Sequence, residues 1–272
     1  MSLLPREIQD HYLKSQEWQR LSSDQGELER LRTHAIFTRE LPSAPAVVFD
    51  IGGGAGVHAF WLAQLGYQVH LVDPVELHLE QARSCQIASG VALASIACGN
   101  ALALEFASGI ADAVLLLGPL YHLTERRDRI QALREARRIL RPNGIVLAAA
   151  ISRFASLIDG LSRGFFRDAR FRDIIAADLD SGQHRNSTNN PLYFTTAYFH
   201  RPEELAAEVK EAGFSEIRVL GVEGPAWSAA QFRGAWSDPA QREKLMEFLS
   251  LIESEPSMQG ATAHLIAVAK SS

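Results

Sequence analysis

Val47-Val48-Phe49-Asp50-Ile51-Gly52-Gly53-Gly54-Ala55-Gly56 is an apolar run that closes on a carboxylate and opens into a glycine-rich loop. Residues 47–49 are β-branched or aromatic and read as a strand buried on both faces. The glycines permit positive φ and let a ligand approach the backbone closely. A helix is expected to start near Val57 and to turn its N-terminal amides toward that ligand. The stretch therefore locates a nucleotide-like cofactor and sets the surrounding fold as an α/β sheet.

Two cofactor classes use such a loop. Gly54-Ala55-Gly56-Val57-His58-Ala59 fits the dinucleotide fingerprint with alanine in the third place, and that fingerprint also expects an acid at the end of the next strand. Asp73 stands there, closing Tyr67-Gln68-Val69-His70-Leu71-Val72. A carboxylate at that point accepts both hydroxyls of a ribose, whichever adenosine ligand carries it. Asp50 tips the balance. Two residues before the first glycine, it is unfavourable beside a pyrophosphate but suits a sulfonium or an α-ammonium group, so charge complementarity favours S-adenosylmethionine. The alternatives are an NAD(P)-dependent oxidoreductase and a non-catalytic S-adenosylmethionine-binding module.

On these residues the chain resembles the class I S-adenosylmethionine-dependent methyltransferases, whose first motif is an acid followed by alternating glycines, as in Asp50 to Gly56. Other segments extend the resemblance. Asp73 and the adjacent Pro74 match the ribose-binding segment, and Gly99-Asn100-Ala101 matches the segment beside the adenine, with Asn100 where the family often has Asp. Ala111 to Leu123, with Leu117 and Gly118 at its bend, looks like the fourth strand and its loop, and Arg138 to Gly144 like the turn before the fifth. Within the superfamily the likeness is to the ubiquinone/menaquinone-biosynthesis type and its small-molecule relatives. It implies a Rossmann-like, doubly wound, seven-stranded sheet in the order 3-2-1-4-5-7-6 with strand 7 antiparallel. It also implies methyl transfer to oxygen, nitrogen or carbon of a small, aromatic or otherwise planar metabolite. The cofactor residues are then Asp50, Gly52, Gly53, Gly54, Gly56, Asp73, Pro74, Asn100, Ala101, Leu117 and Gly118, with Arg32 reaching the methionine carboxylate.

Composition suits a cytoplasmic enzyme. The 272 residues are 47% hydrophobic and 22% charged, enough for one large α/β domain with an elaboration. A net charge of −5 argues against nucleic acid as the partner. The opening residues Met1 to Glu7 do not read as a secretory signal, and no apolar run approaches a bilayer span. Cys85 and Cys98 are too far apart for a CxxC pair and read as reduced thiols, while the nine histidines lack metal-ligand spacing, so no metal is expected. Nothing fixes an oligomeric state. The arginines between Arg126 and Arg141 are interleaved with acids, and Ile130, Leu133 and Leu140 recur at helical spacing, so this stretch reads as a solvated amphipathic helix.

Punctuation divides the chain. Residues 1–41 read as an N-terminal helical segment, and Pro42-Ser43-Ala44-Pro45 marks the entry to the first strand. The cofactor domain occupies 42–150 and resumes at 202–272. Strands are expected near 46–51, 67–72, 92–98, 112–117, 144–150, 216–222 and 262–269, with helices near 57–65, 76–88, 125–140 and 202–212. The connection 151–201 is too long for a plain loop and leaves the sheet at its ligand-binding edge, so it reads as a mainly helical inserted cap; 223–260 is a second, smaller insertion.

The reaction implied by the resemblance is in-line displacement at the sulfonium methyl. Alignment supplies much of the rate, and a base is needed only where the acceptor must lose a proton. His122, in the loop after the fourth strand, is the candidate base because imidazole titrates near neutrality. Tyr12, Tyr121, Arg153, Tyr193, Tyr198 and His200 are the candidate substrate residues, Arg153 for an anionic group and the aromatics for the walls.

Overall fold

The computed structural model describes residues 7–8, 24–188, 190–229 and 232–271, with Asp24 and Trp227 as backbone alone. Helix α1 (Asp24–Glu40) precedes β1 (Val47–Ile51), α2 (Val57–Gln64), β2 (Gln68–Asp73), α3 (Glu76–Ser89), β3 (Ser95–Cys98) and β4 (Ala111–Leu116). A short helix α4 (Pro119–His122), α5 (Arg126–Ile139) and the long β5 (Leu140–Ser152) complete the first half. β1 to β5 are mutually parallel wherever they pair. The second half supplies α8 (Pro202–Glu211), β8 (Phe214–Gly221) and β9 (His264–Ser271), and β9 runs antiparallel to both β5 and β8. The main sheet thus reads β3-β2-β1-β4-β5-β9-β8, the order expected from the sequence, with its sixth and seventh strands appearing as β8 and β9.

The faces of the sheet follow from strand alternation. Phe49, Ile51, Val114, Leu116, Val146 and Ala148 pack against α5 and α8 through Leu133, Ala136, Leu205 and Val209. Val48, Val69, Leu71, Leu115 and Leu147 face α1 and α2 through Ile36, Phe37, Ala59 and Leu62. Asp50 alternates with Phe49 and so points to the α1/α2 face. α5 is less solvated than its composition implies: Arg129 is 1% exposed and makes a bidentate pair with Glu208.

The 151–201 segment folds as α6 (Ala155–Arg163), α7 (Ala169–Ser181) and the hairpin β6 (Gln183–His184) with β7 (Ala197–His200). β7 lies parallel to the last two residues of β5, pairing Ile151 with Phe199 and Ser152 with His200. Phe171, Ile174, Ile175 and Tyr193 form a small core of its own. Buried polar groups brace it: Asp178 accepts from Ser156 Oγ at 2.5 Å and faces His184 Nδ1 at 2.9 Å, while His184 Nε2 donates to the Tyr193 carbonyl at 2.8 Å. The second insertion holds α9 (Phe232–Ser237) and α10 (Pro239–Ile252) and packs on α1 through Leu28, Phe232, Trp236 and Leu249. Among the described residues no helix is long and apolar enough to cross a membrane.

Candidate active site

The glycine loop hangs from the end of β2, Gly52 N donating to the Val72 carbonyl at 2.7 Å. Gly52, Gly54 and Gly56 have φ of 70°, 58° and 84°, the left-handed conformations the sequence demanded. The loop is tightly backed on two sides. A Cβ on Gly53 would lie 2.4 Å from Asp50 Oδ2 and 2.6 Å from Leu71 Cδ1, and one on Gly118 would lie 2.8 Å from the Gly52 carbonyl oxygen. At Gly54 it would meet no atom nearer than His78 Nδ1 at 3.9 Å, so this is where the loop opens.

Two carboxylates sit under the loop. Asp73 is 4% exposed; its Oδ2 accepts from Gly54 N and its Oδ1 from Val75 N, each at 2.9 Å, and His78 Nδ1 lies 3.0 Å from Oδ1. An ionised carboxylate has about four acceptor sites, so capacity remains for ribose hydroxyls. Asp50 is completely buried, and neither carboxylate oxygen has a hydrogen-bond partner among the described residues. Burial, and secondarily the charge of Asp73, push its pKa up to about 7. Such an orphaned acid is costly unless a cationic or donor group meets it. A sulfonium-bearing amino acid joined to an adenosine supplies such groups, and Asp50, Asp73 and the open edge at Gly54 fit it. Pro74, Asn100, Ala101, Leu117 and Gly118 are half-buried strand-end residues around these acids. Asn100 Oδ1 accepts from Leu102 N at 2.9 Å, which fixes the amide's orientation beside the expected adenine.

Beyond the ends of β5 and β7 lies a cavity of about 730 Å³, walled by α1, both insertions and Tyr121 of α4. Tyr121 joins the two regions: it lines the cavity, and its hydroxyl is 3.7 Å from the position of a Cβ on Gly118. Phe171, Tyr193, Phe194 and Phe199 supply aromatic wall, so several aromatics of the insertion serve as both its core and the lining. Glu29, Glu223 and His264 also face this space.

Residues 49–148 match a methyltransferase domain family. The ubiquinone/menaquinone biosynthesis C-methyltransferase UbiE of Zymomonas mobilis is 26% identical over 204 residues, spanning 73% of this chain and 79% of that protein. The ubiquinone biosynthesis O-methyltransferase of Pseudomonas aeruginosa is 29% identical over 175 residues, spanning 64% and 67%. The chain carries a class I S-adenosylmethionine-dependent methyltransferase domain. A solved S-adenosylmethionine-dependent methyltransferase from Thermotoga maritima shares its fold, with a TM-score of 0.59 at 18% identity over 97% of this chain and all of that one.

Several expected site residues of the methyltransferase are engaged by other protein groups. Arg32 is 1% exposed, donates from Nε to the Val222 carbonyl at 3.0 Å and pairs with Glu253, which welds α1 to the second insertion and engages the guanidinium there. Arg153 donates to the Phe199 carbonyl at 2.8 Å and pairs with Glu204 at 2.6 Å. Tyr198 lies under the Arg129 guanidinium at 3.7 Å, and His200 is fully buried against Glu208 at 3.2 Å. Burial lowers the His200 pKa despite that carboxylate. These groups form one buried knot that ties β7 to α5 and α8, because a buried guanidinium persists only where its donors are satisfied. His122 ends the short helix α4 rather than sitting in an open loop; it is buried, edge-on to Tyr121 at 4.6 Å and stacked with Phe194 at 6.0 Å, and is not among the cavity-lining residues. Tyr193 does line the cavity, with its hydroxyl donating to Asp168 at 3.1 Å. Tyr12 lies outside the described residues. Glu29, Glu223 and His264 went unseen in the sequence because no motif links them; they meet only through the β8/β9 pairing and the packing of α1.

Replacing Asp50 by Asn is expected to stabilise the free methyltransferase at neutral pH and to weaken S-adenosylmethionine binding. The folded pKa, about 7, exceeds the ordinary 3.8. The folded state therefore holds the extra proton between those values, and that stability, full below about pH 4, is lost as pH rises through 7. The advantage of the variant should grow over that window to at most roughly 4 kcal/mol. Thermal melts of both proteins from pH 4 to 8 check it, and parallel pH curves would show that Asp50 carries no such burden.

Proposed function

We propose that the methyltransferase acts on a small, planar, aromatic metabolite in the cytoplasm and not on nucleic acid. The observation that carries this reading is the aromatic-walled cavity of about 730 Å³ joined to the glycine loop by Tyr121. That volume is typical of small-molecule sites, which are mostly apolar with a few convergent polar groups. Asp50 and Asp73 hold the methyl donor, whose sulfonium supplies an electrophilic carbon when bound. Tyr121 stands beside the junction of the donor and acceptor regions, and the two insertions exclude water, so alignment and desolvation supply much of the acceleration. The net charge of −5 opposes a polyanionic substrate, and the exposed, unpaired Cys85 and Cys98 suit a reducing compartment. The names of the two curated relatives divide between a C- and an O-methyltransferase.

The test is incubation of the purified chain with radiolabelled methyl donor and fractionated metabolite extract. Label is expected in a small, ultraviolet-absorbing product, with S-adenosylhomocysteine released in equal amount. Label only in nucleic acid or protein would overturn the acceptor class; binding of donor with no transfer to any fraction would favour a non-catalytic module.

A further inference from the structure

We propose that His264, oriented by Glu223, takes the acceptor's proton, and that the acceptor atom is accordingly the oxygen of a hydroxyl on an aromatic ring. This rests on the methyltransferase reading and extends it to a residue and an atom.

His264 opens β9 directly opposite Ile151 near the end of β5, and both residues line the cavity. Its backbone is held on both sides: its amide donates to Glu223 Oε2 at 3.0 Å, and its carbonyl accepts from Val222 N at 3.0 Å. Glu223 is 2% exposed, and its Oε2 also accepts from the hydroxyl of the fully buried Thr262 at 2.8 Å. Its other oxygen, Oε1, lies 2.5 Å from His264 Nδ1. A buried carboxylate locked by two donors and turned onto one imidazole nitrogen selects the Nδ1–H tautomer. It thereby makes Nε2 the basic nitrogen and stabilises the imidazolium that forms when Nε2 gains a proton. Among the described residues, the other charged groups facing the ring or its cavity are Glu29 of α1, 3.9 Å from Nδ1, Arg233 of α9 and Asp159 and Arg163 of α6 on the cavity wall, and the Arg32–Glu253 pair behind Glu223.

This device distinguishes a hydroxyl-bearing acceptor from an amine. A neutral amine attacks through its lone pair and sheds its proton afterwards, whereas a hydroxyl becomes an adequate nucleophile only as its proton leaves. In the reaction the acceptor O–H gives its proton to Nε2, and an oxygen lone pair forms the new O–CH3 bond as the C–S bond breaks. The electron pair stays on sulfur as the neutral thioether, and the proton later passes from His264 to solvent. Aromatic walls from Tyr121, Phe194 and Phe199 suit a phenol as the bearer of that hydroxyl.

The test uses the full chain labelled with 15N-histidine and saturated with S-adenosylhomocysteine. The imidazole signals missing from His264→Asn should belong, at high pH, to a ring protonated at Nδ1 and bare at Nε2, and Glu223→Gln should erase that preference. A ring protonated at Nε2, or one indifferent to Glu223→Gln, overturns the proposal. In parallel, wild type and His264→Asn are compared on the compound that takes label from the extract. Turnover is expected to fall about 10²–10⁴-fold, with loss of an ionisation from the pH profile and unchanged S-adenosylhomocysteine affinity. A product methylated on nitrogen or carbon, an unaltered profile, or activity abolished by chelator and restored by a divalent cation would each overturn it, the last by making Glu29, Glu223 and His264 metal ligands. If wild type transfers no label at all, it is the methyltransferase reading that fails, and His264 is left without a catalytic role.

Discussion

Gly54→Val is expected to bind no measurable S-adenosylmethionine while keeping the circular dichroism of the parent. At φ 58° a β-branched side chain is strained, but the penalty is of the order of 1–2 kcal/mol, within the 5–15 kcal/mol stability of an ordinary domain. Its Cβ meets nothing closer than His78 Nδ1 at 3.9 Å, so the fold itself has room for the side chain. The room it takes is the open edge of the loop between Asp50 and Asp73, where the donor must touch the backbone. Gly53→Ala makes the contrast. There the new methyl lies 2.4 Å from Asp50 Oδ2 and 2.6 Å from Leu71 Cδ1, so the variant should lose stability as well as affinity. Calorimetric titration alongside thermal melts separates the two, and a Gly54→Val protein binding within tenfold of the parent would show that the donor stays clear of this residue.

Where the sequence was legible, the determinants were local. The glycines at 52, 54 and 56 take positive φ because no other residue does so cheaply, and β1, β2 and β4 lie within a residue or so of their expected bounds because each is a short apolar run between turn formers. β5 is longer than its apolar segment suggested. Leu140 already pairs with Ala111 before a register shift, and Asn143 sits at φ 63° within the strand, so the expected turn was absorbed as an irregularity of the ladder. The acceptor side was far less legible. Arg153, Tyr198 and His200 have the chemistry of site residues, yet Glu204 and Glu208 on α8 claim them, a pairing fixed by how the helix docks on β7. Conversely, Glu223 and His264 look ordinary in sequence and become a dyad only when β8 and β9 pair. Burial and partnership across long separations decide which polar side chains remain available to a ligand, and neither is written in local spacing.

Asp73→Ala should weaken S-adenosylmethionine binding by about 10²–10⁴-fold. Charge-assisted hydrogen bonds contribute roughly 1.5–3 kcal/mol each, and two ribose hydroxyls on one carboxylate give roughly 3–6 kcal/mol; a factor of ten corresponds to about 1.4 kcal/mol. The truncation also removes the acceptor for Gly54 N, Val75 N and the neighbouring His78, so the glycine loop keeps only its Gly52–Val72 backbone tether to the end of β2. Asp73→Asn retains one acceptor oxygen without the charge and should fall between the parent and the alanine variant. The ribose assignment makes a sharper demand: the loss measured with S-adenosylhomocysteine should reappear at similar size with adenosine, which carries the same hydroxyls but no amino-acid moiety. A loss confined to S-adenosylhomocysteine would place the carboxylate near the methionine end. Unchanged affinity in a folded Asp73→Ala protein would remove it from the site, and Asp50 would then be the sole buried acid left to meet the donor.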